Sequence, residues 1–452
     1  MDMAQYDSYK SSGIEWIGDI PSHWEFRKFN HICRIITDFV ASGSFADLRE
    51  NVQYLSEPDY AMLVRTTDLA NPDINEGRVY ISKESYTFLS NSNLFGGEVI
   101  LPNVGSVGSV YMVPQNLYER MSLAPNSIMF KTKYSDRFYF YYFLSFPGNK
   151  TLVDLAQSTT LAKFNKTDLR AIRVLFPSPS EQKSIADYLD TECKKIDDLI
   201  VKEEKRIKLI EETKLSIISK VITKGLSPEV SMKDSGVPWV GEVPSTWDRH
   251  RIKYDLTRSA AGVWGDEEKG NEDDIVCYRI ADYDYSKGIL DNDNPTVRNI
   301  PAKDRQGRLL KKGDLLIEKS GGGDIWPVGR VVRYNYDLEA VSSNFIHSVT
   351  VDEQKIDPDF LYYYFRFLYA NKVNLLYFNQ TIGIQNLKVS AYLSQSLFAP
   401  ELTEQKEIVD YLNKECSSYD TAIEKAKKQI DLLKEYKQSL ITEVVTGKRK
   451  VC

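Results

Sequence analysis

Between Glu181 and Thr223 eight of the ten positions on an alternating four-and-three spacing are apolar: Leu189, Cys193, Ile196, Ile200, Glu203, Ile207, Ile210, Lys214, Ile217 and Val221. Lys and Glu fill the other faces, and neither Pro nor Gly interrupts the run. A seam that returns every 3.5 residues predicts a long helix that buries one narrow stripe against a second helix. Adding 223 to each number gives Leu412, Cys416, Tyr419, Ile423, Ala426, Ile430, Leu433, Lys437, Leu440 and Val444. The second stretch copies the first, down to the lysine that breaks the seam. One such helix alone would suit a dimerisation arm; two copies in one chain predict an intramolecular pair.

The repeat reaches beyond the helices. Gly13–Trp24, GIEWIGDIPSHW, returns as Gly236–Trp247, GVPWVGEVPSTW, at the same offset, so the chain is a tandem duplication of about 220 residues. Trp16, Trp24, Trp239 and Trp247 anchor these strips, which read as extended segments laid on a neighbouring surface. The expected organisation is a strip over 1–25, a module over 26–176, a long helix over 177–224, a linker with the second strip over 225–248, a module over 249–399 and a second long helix over 400–452.

Inside the first module, short apolar runs at Tyr60–Arg65, Arg78–Ile81, Glu98–Leu101 and Ser109–Val113 predict strands of a mixed sheet. Pro102–Ser109, PNVGSVGS, is a Gly/Ser loop that suits either close approach to a ligand or a tight turn. The run Arg137–Phe146, RFYFYYFLSF, predicts a buried aromatic helix. The second module repeats these landmarks: Tyr278–Asp282 stands for Val64–Asp68, the loop Ser320–Asp324 follows Lys312–Ile317, Asp359–Leu368 repeats the aromatic helix, and Thr381–Leu387 answers Ser158–Phe164. The fold class expected is α+β, two similar modules with mixed sheets separated by two long helices. Helices and strips stay alike between the copies while the modules share scaffold residues only, the pattern of a binder that reads two different things through equivalent parts.

Composition adjusts this picture. A chain of 452 residues, 42% hydrophobic and 27% charged, has the make-up of a soluble globular protein, and no run of 18 apolar residues or secretory leader is present, so a cytoplasmic location with no membrane span is expected. Five scattered cysteines, two of them in the helix seams, predict neither disulfides nor zinc. The net charge of −6 argues against a free-standing DNA binder, which normally shows a basic domain. Residues 25–176 hold 16 Lys+Arg against 15 Asp+Glu, and 248–399 hold 20 against 22, so any basic surface is local or borrowed from a partner. No phosphate-binding GxxxxGK[ST] loop, no methyltransferase tetrad and no metal-ligand spacing among the four histidines is found, and Pro72-Asp73 with Glu76 lacks the lysine of a nuclease cluster. The chain is expected to bind and position, with no catalytic residue, cofactor or metal of its own.

Taken together, the Trp strip, the variable module, the Pro-Ser-Pro-Ser-Glu-Gln-Lys run that ends at Lys183 and the long helix, repeated with Pro-Glu-Leu-Thr-Glu-Gln-Lys ending at Lys406, resemble the specificity subunit of a type I restriction-modification enzyme over nearly the whole chain. The resemblance implies two target-recognition domains that each read half of a split, asymmetric duplex site. It implies that the two helices pack antiparallel and hold the modules apart; a seam of about 33 residues would span roughly 50 Å. It implies double-stranded DNA, two methyltransferase subunits and motor-nuclease subunits as partners, with S-adenosylmethionine, ATP and Mg²⁺ used on those other subunits. Residues with suitable contact chemistry beside predicted loops are Arg65, Thr66, Ser106, Ser109 and Lys163 in the first module and Arg279, Lys319, Ser320, Arg330, Gln385 and Asn386 in the second. The helix pair and the four strip tryptophans are the expected methyltransferase docking surface. Two other readings remain at this stage: the recognition portion of a single-chain modification-restriction enzyme, and a coiled-coil scaffold that binds no DNA.

Overall fold

A computed structural model describes the chain except residues 1–4, 72, 74, 157–161, 291–294, 324, 382 and 452. Pro72, Ser158 and Asp324, named above, therefore lie outside the described residues, as do Ile382 within Thr381–Leu387 and the fifth cysteine, Cys452. The chain divides into two compact units, residues 1–202 with 429–452 and residues 203–428. The long helices are not a unit of their own. Each unit takes one half of each.

In the first unit the strip forms a hairpin, Tyr9–Ser11 against Asp19–Pro21. The module opens with Glu25–Lys28 and closes with Arg173–Phe176, and these two strands pair antiparallel. Between them lie an antiparallel sheet in the order Tyr111–Met112, Val99–Pro102, Ser127–Thr132, Cys33–Asp38, and a second sheet whose central strands, Ala61–Val64 and Met121–Leu123, run parallel. The aromatic run forms the helix Asp136–Leu144, capped by the Ser135 hydroxyl, and buries Phe138, Tyr139, Tyr141, Tyr142 and Phe143. Their rings meet edge-to-face with Phe29 and Phe130, the favoured geometry for aromatic quadrupoles.

The second unit repeats this plan. Asp248–Arg251 pairs with Ser396–Ala399, a six-stranded sheet contains the antiparallel run Leu256–Ala261, Ile346–Val351, Leu315–Glu318 and Val331–Arg333, and Asp274–Tyr278 runs parallel to Ala340–Ser342. The helix Pro358–Ala370 carries the second aromatic core, with Asp357 as its cap.

The central helix, Pro179–Lys224, begins at a capping box in which the Ser178 hydroxyl accepts from the Glu181 amide while Glu181 accepts from the Ser178 amide. The C-terminal helix covers Leu402–Val445. In the first unit Tyr188 lies against Arg449 and Asp197 against Lys437; in the second, Lys214 meets Asp420 and Gly225 lies against Glu404. In both units one helix ascends as the other descends, so the pair is antiparallel and intramolecular. Leu189, Cys193 and Ile196 share a core with Leu440 and Val444, and Val221 shares one with Leu412 and Cys416. Ile423 and Ile430 are buried, whereas Ile200, Ile207, Ile210, Ile217 and Leu433 are half-buried. A helix of 3.6 residues per turn drifts off a strict 3.5 seam, so at the ends Ile218 and Ile222 and their equivalents Ile441 and Val445 join the seam residues in the core.

The seam lysines are matched by symmetry. Lys437 Nζ reaches both Asp197 oxygens at 2.7 Å, and Lys214 Nζ reaches Asp420 Oδ1 at 2.5 Å and the Ser286 carbonyl at 3.2 Å. Asp420 stands 223 residues after Asp197, so each copy's lysine pairs with the other copy's aspartate, as at an isologous interface.

Candidate nucleic-acid interface

Each module builds the same backbone frame after its parallel strand pair. In the first, Arg65 precedes the short helix Thr66–Ala70, and Asp68 accepts from the Arg65 amide at 2.9 Å and from its guanidinium at 2.6 Å. The second parallel strand leads to Asn126, whose φ of 64° is left-handed, a region Asn tolerates better than most residues. The Asn126 carbonyl accepts from the Asn103 amide at 3.1 Å, where the Gly/Ser loop begins. Val104 then bridges to Lys163, and the Gly105 amide donates to the Ala162 carbonyl at 2.9 Å.

The second module makes the same bonds. Asp282 accepts from the Arg279 amide at 2.6 Å and its guanidinium at 3.3 Å. The Lys319 amide donates to the Phe345 carbonyl at 2.9 Å, Ser320 bridges to Asn386, and the Gly321 amide donates to the Gln385 carbonyl at 3.1 Å. Lys163 and Asn386 are 223 residues apart, as are Ala162 and Gln385. The loops are thus pinned at homologous points, and different side chains are hung from them.

The residues selected from sequence divide between the two pinned loops and their surroundings. Ser106 and Lys163 are exposed and Ser109 half-exposed on the first loop and its bridge, with half-buried Thr66 on the helix that packs beside the strand after the loop. Arg65 is held by Asp68 and by the Gly77 carbonyl at 2.7 Å, so it presents only part of its fork. In the second module the Ser320 hydroxyl donates to Asn386 at 2.7 Å on the bridge that pins the loop, while Arg279 meets the glycines that follow Ser320 at a separate cavity. That cavity, of about 610 Å³, is lined by Arg279, Gly321–Gly323, Trp264, Trp326, Arg330 and Phe345.

Four expectations are corrected. Gln385 is buried, and its Oε1 accepts from the Val328 amide at 3.2 Å, so it holds the loop and cannot reach a duplex. Arg330 pairs with Glu318, at 2.8 and 3.2 Å, and stacks 3.6 Å over Tyr285, so it is no free cation for a phosphate and lies instead in the lining of the cavity. Trp24 and Trp247 are fully buried, each donating from Nε1 to a helix carboxylate, Glu181 at 3.1 Å and Glu404 at 3.2 Å. They lock strip to helix and offer no face to a partner chain.

The neighbouring glutamines complete this lock: Gln182 and Gln405 donate to the carbonyls of Pro177 and Pro400 at 2.9 and 2.8 Å. The repeated Glu-Gln pair is therefore structural. Burial alone would raise the Glu181 carboxyl, but hydrogen bonds from Ser178, His23 and Trp24 outweigh it and hold the group below the ordinary carboxylate range. Trp16 stays 40% exposed under the Lys150 ammonium, and Trp239 is half-buried on the second unit's core.

Sequence reasoning passed over Ile325, Trp326, Trp264 and Phe345. The available signal was Ile325-Trp326-Pro327 inside a glycine-rich loop, where apolar side chains have no nearby partner. No helix among the described residues is long and apolar enough to cross a membrane, and none of their His, Cys, Asp and Glu side chains group to hold a metal.

The chain is thus a duplicated α+β protein whose two modules carry matched loop sites, each packed on an antiparallel pair of helix segments. Residues 21–211 and 271–433 match the family described as type I restriction modification DNA specificity domain, and the chain belongs to that family. It is 22% identical over 452 residues, 96% of each chain, to the putative type I restriction enzyme MjaX specificity subunit of Methanocaldococcus jannaschii. It is 22% identical over 456 residues to the type I restriction enzyme StySPI specificity subunit of Salmonella potsdam, covering 95% of this chain and 90% of that one. A solved chain from work on complex assembly and conformational transition of the type I R-M system has the same fold, with a TM-score of 0.67, 13% identity and coverage of 94% of this chain and 98% of that one. The protein is a specificity subunit, the non-catalytic component of its system.

Proposed function

We propose that each module reads one half of a bipartite, asymmetric duplex site and that the helix pair sets the spacing between the halves. The observation that carries this reading is the loop frame built twice with the same backbone bonds and different side chains, Ser106, Ser109 and Lys163 in one module and Lys319, Ser320 and Asn386 in the other. Hydroxyl, amide and ammonium groups on pinned loops suit base-edge and phosphate contacts. A separation fixed by helices suits half-sites about a helical turn apart on one face of B-DNA.

The outer faces of the helices are the proposed docking surface for two methyltransferase subunits. Leu209 and its equivalent Leu432 stand exposed there, outside the seam, and Trp16 adds an exposed ring. In this arrangement S-adenosylmethionine belongs to the methyltransferase subunits, and ATP and Mg²⁺ to motor-nuclease subunits. Those subunits would also supply the basic surface that a chain of net charge −6 lacks.

Selection from random duplexes with the co-expressed methyltransferase, or methylation profiling of host DNA, tests the reading. Two short motifs with a fixed gap are expected; recovery of no motif leaves the scaffold reading. Exchange of residues 26–176 for another module changes one motif only. Deletion of seven residues from one helix re-spaces or abolishes the target, and an unchanged gap overturns the ruler. Methyl transfer by the isolated chain would identify it as part of a single-chain enzyme instead.

A further inference from the structure

The cavity of the second module differs in kind from a surface that lies in a groove. Groove readers are convex, a helix or ribbon that enters the duplex. Here the protein is concave: Trp264, Trp326 and Phe345 wall a space of about 610 Å³ whose floor is the Arg330–Glu318 pair. The pair is electrically balanced and presents both a guanidinium and a carboxylate to the space. Arg279 Nε beside it is buried without a partner among the described residues. Aromatic walls over a hydrogen-bonding floor match a planar heterocycle with a polar edge.

The wall is held in advance. The Gly323 amide donates to the Trp326 carbonyl at 3.0 Å, Tyr369 Oη to the Pro327 carbonyl at 3.1 Å, Asn374 Nδ2 to the Val328 carbonyl at 2.7 Å, and the Val328 amide to Gln385. A Cβ on Gly322 would come within 2.6 Å of the Val328 nitrogen, so the loop closes on itself only with glycine there. At its tip Trp326 is 61% exposed, and Ile325, which does not line the cavity, is 82% exposed. A large apolar side chain held in water on a fixed loop needs an occupant for its face.

We propose that the second module takes one base of its half-site out of the stack, between Trp326, Trp264 and Phe345, with its polar edge on Arg330 and Glu318, while Ile325 fills the gap left in the duplex. This rests on the DNA-reading role proposed above and deepens it. An apolar wedge beside an aromatic pocket is what extrusion requires: the pocket offsets unstacking, and the wedge keeps the neighbouring pairs from closing up. Arg330 and Gln385 then act as reader and loop-positioning residue, respectively.

The test uses the complex with its methyltransferase subunits on the target that selection delivers. Each pair of the second half-site is mismatched in turn by changing the base on one strand, and then on the other. Because a mismatched base costs less to extrude, one position is expected to bind about tenfold tighter than the matched duplex. In Trp326→Ala that gain falls below about twofold, while Trp326→Phe keeps it; both variants should melt like the wild type, since the ring is exposed. A gain at no position, or gains that all survive Trp326→Ala, overturn the proposal. If selection returns no motif, the DNA-reading role itself fails, so the two failures are distinguishable.

Discussion

Glu98 in the first module and Asp314 in the second are buried carboxylates placed just before the strand that feeds the loop, and each accepts from the backbone amide three residues earlier, Phe95 or Lys311. Their cations come from different strands. Glu98 pairs with Lys131 at 3.0 Å on the neighbouring central strand, whereas Asp314 finds only Thr350 at that register, at 2.5 Å, and takes its charge from Arg258 on the next strand out. What is fixed is that a desolvated carboxylate be neutralised; which neighbour does so is free. The Trp–Glu–Gln lock between strip and helix, by contrast, is repeated residue for residue. It joins three segments at once, so no single neighbour can substitute.

The largest effects should come from that lock. Trp24→Ala and Trp247→Ala each remove a buried indole and are expected to cost about 3–5 kcal/mol in the unit concerned. Hydrogen exchange resolved by unit measures both, and costs that differ by more than about 1 kcal/mol would break the equivalence of the copies.

The seam ion pairs should separate the units next. The Lys214 side chain is 6% exposed and that of Lys437 28%. Asp420→Asn strands a buried ammonium and should cost about 3 kcal/mol, whereas Asp197→Asn should cost less than about 1 kcal/mol in the same hydrogen-exchange measurement.

A smaller contrast is set by pH. Burial, with Lys319 and Arg258 nearby, pushes His347 down to about 4. Its unfolded form binds a proton from about pH 6.5 downward while the folded form does not, so stability is complete above that pH and declines as pH falls toward 4. The second unit should lose roughly 2 kcal/mol between pH 7 and 5, and His347→Gln should remove most of that slope. Glu181 in the first unit, with its lowered carboxyl, contributes stability that is lost only at more acid pH, so the first unit should hold over the same range. The smallest effect expected is for Lys163→Ala, a few-fold weakening on every duplex and a salt slope reduced by about one, with base preference unchanged.

Much of this was legible in the chain. The 223-residue offset carried the helix pair, both modules and the pairing of Lys163 with Asn386, because periodicity and duplication are local patterns. What escaped depends on partners far away in sequence. Trp24 looks like a surface anchor until Glu181 is seen 157 residues on, and Gln385 looks like a polar contact until the Val328 amide claims it. Arg330 is a cation in sequence and half of a neutral pair in space. Trp326 was hidden for the opposite reason: glycine-rich loops are read as flexible and polar, and its rigidity comes from Tyr369, Asn374 and Gln385, which the loop meets only after folding.

The first unit is assembled from residues 1–202 and 429–452, so its helix face is sealed by a stretch synthesised only after the whole second unit, where Tyr9 Oη donates to the Gly447 carbonyl at 3.2 Å. The second unit is continuous in sequence. At 5–20 residues per second, the nascent first module waits roughly 10–45 s with Leu189, Cys193 and Ile196 uncovered, a window in which translation speed, holding chaperones or an early-binding subunit decide whether it survives.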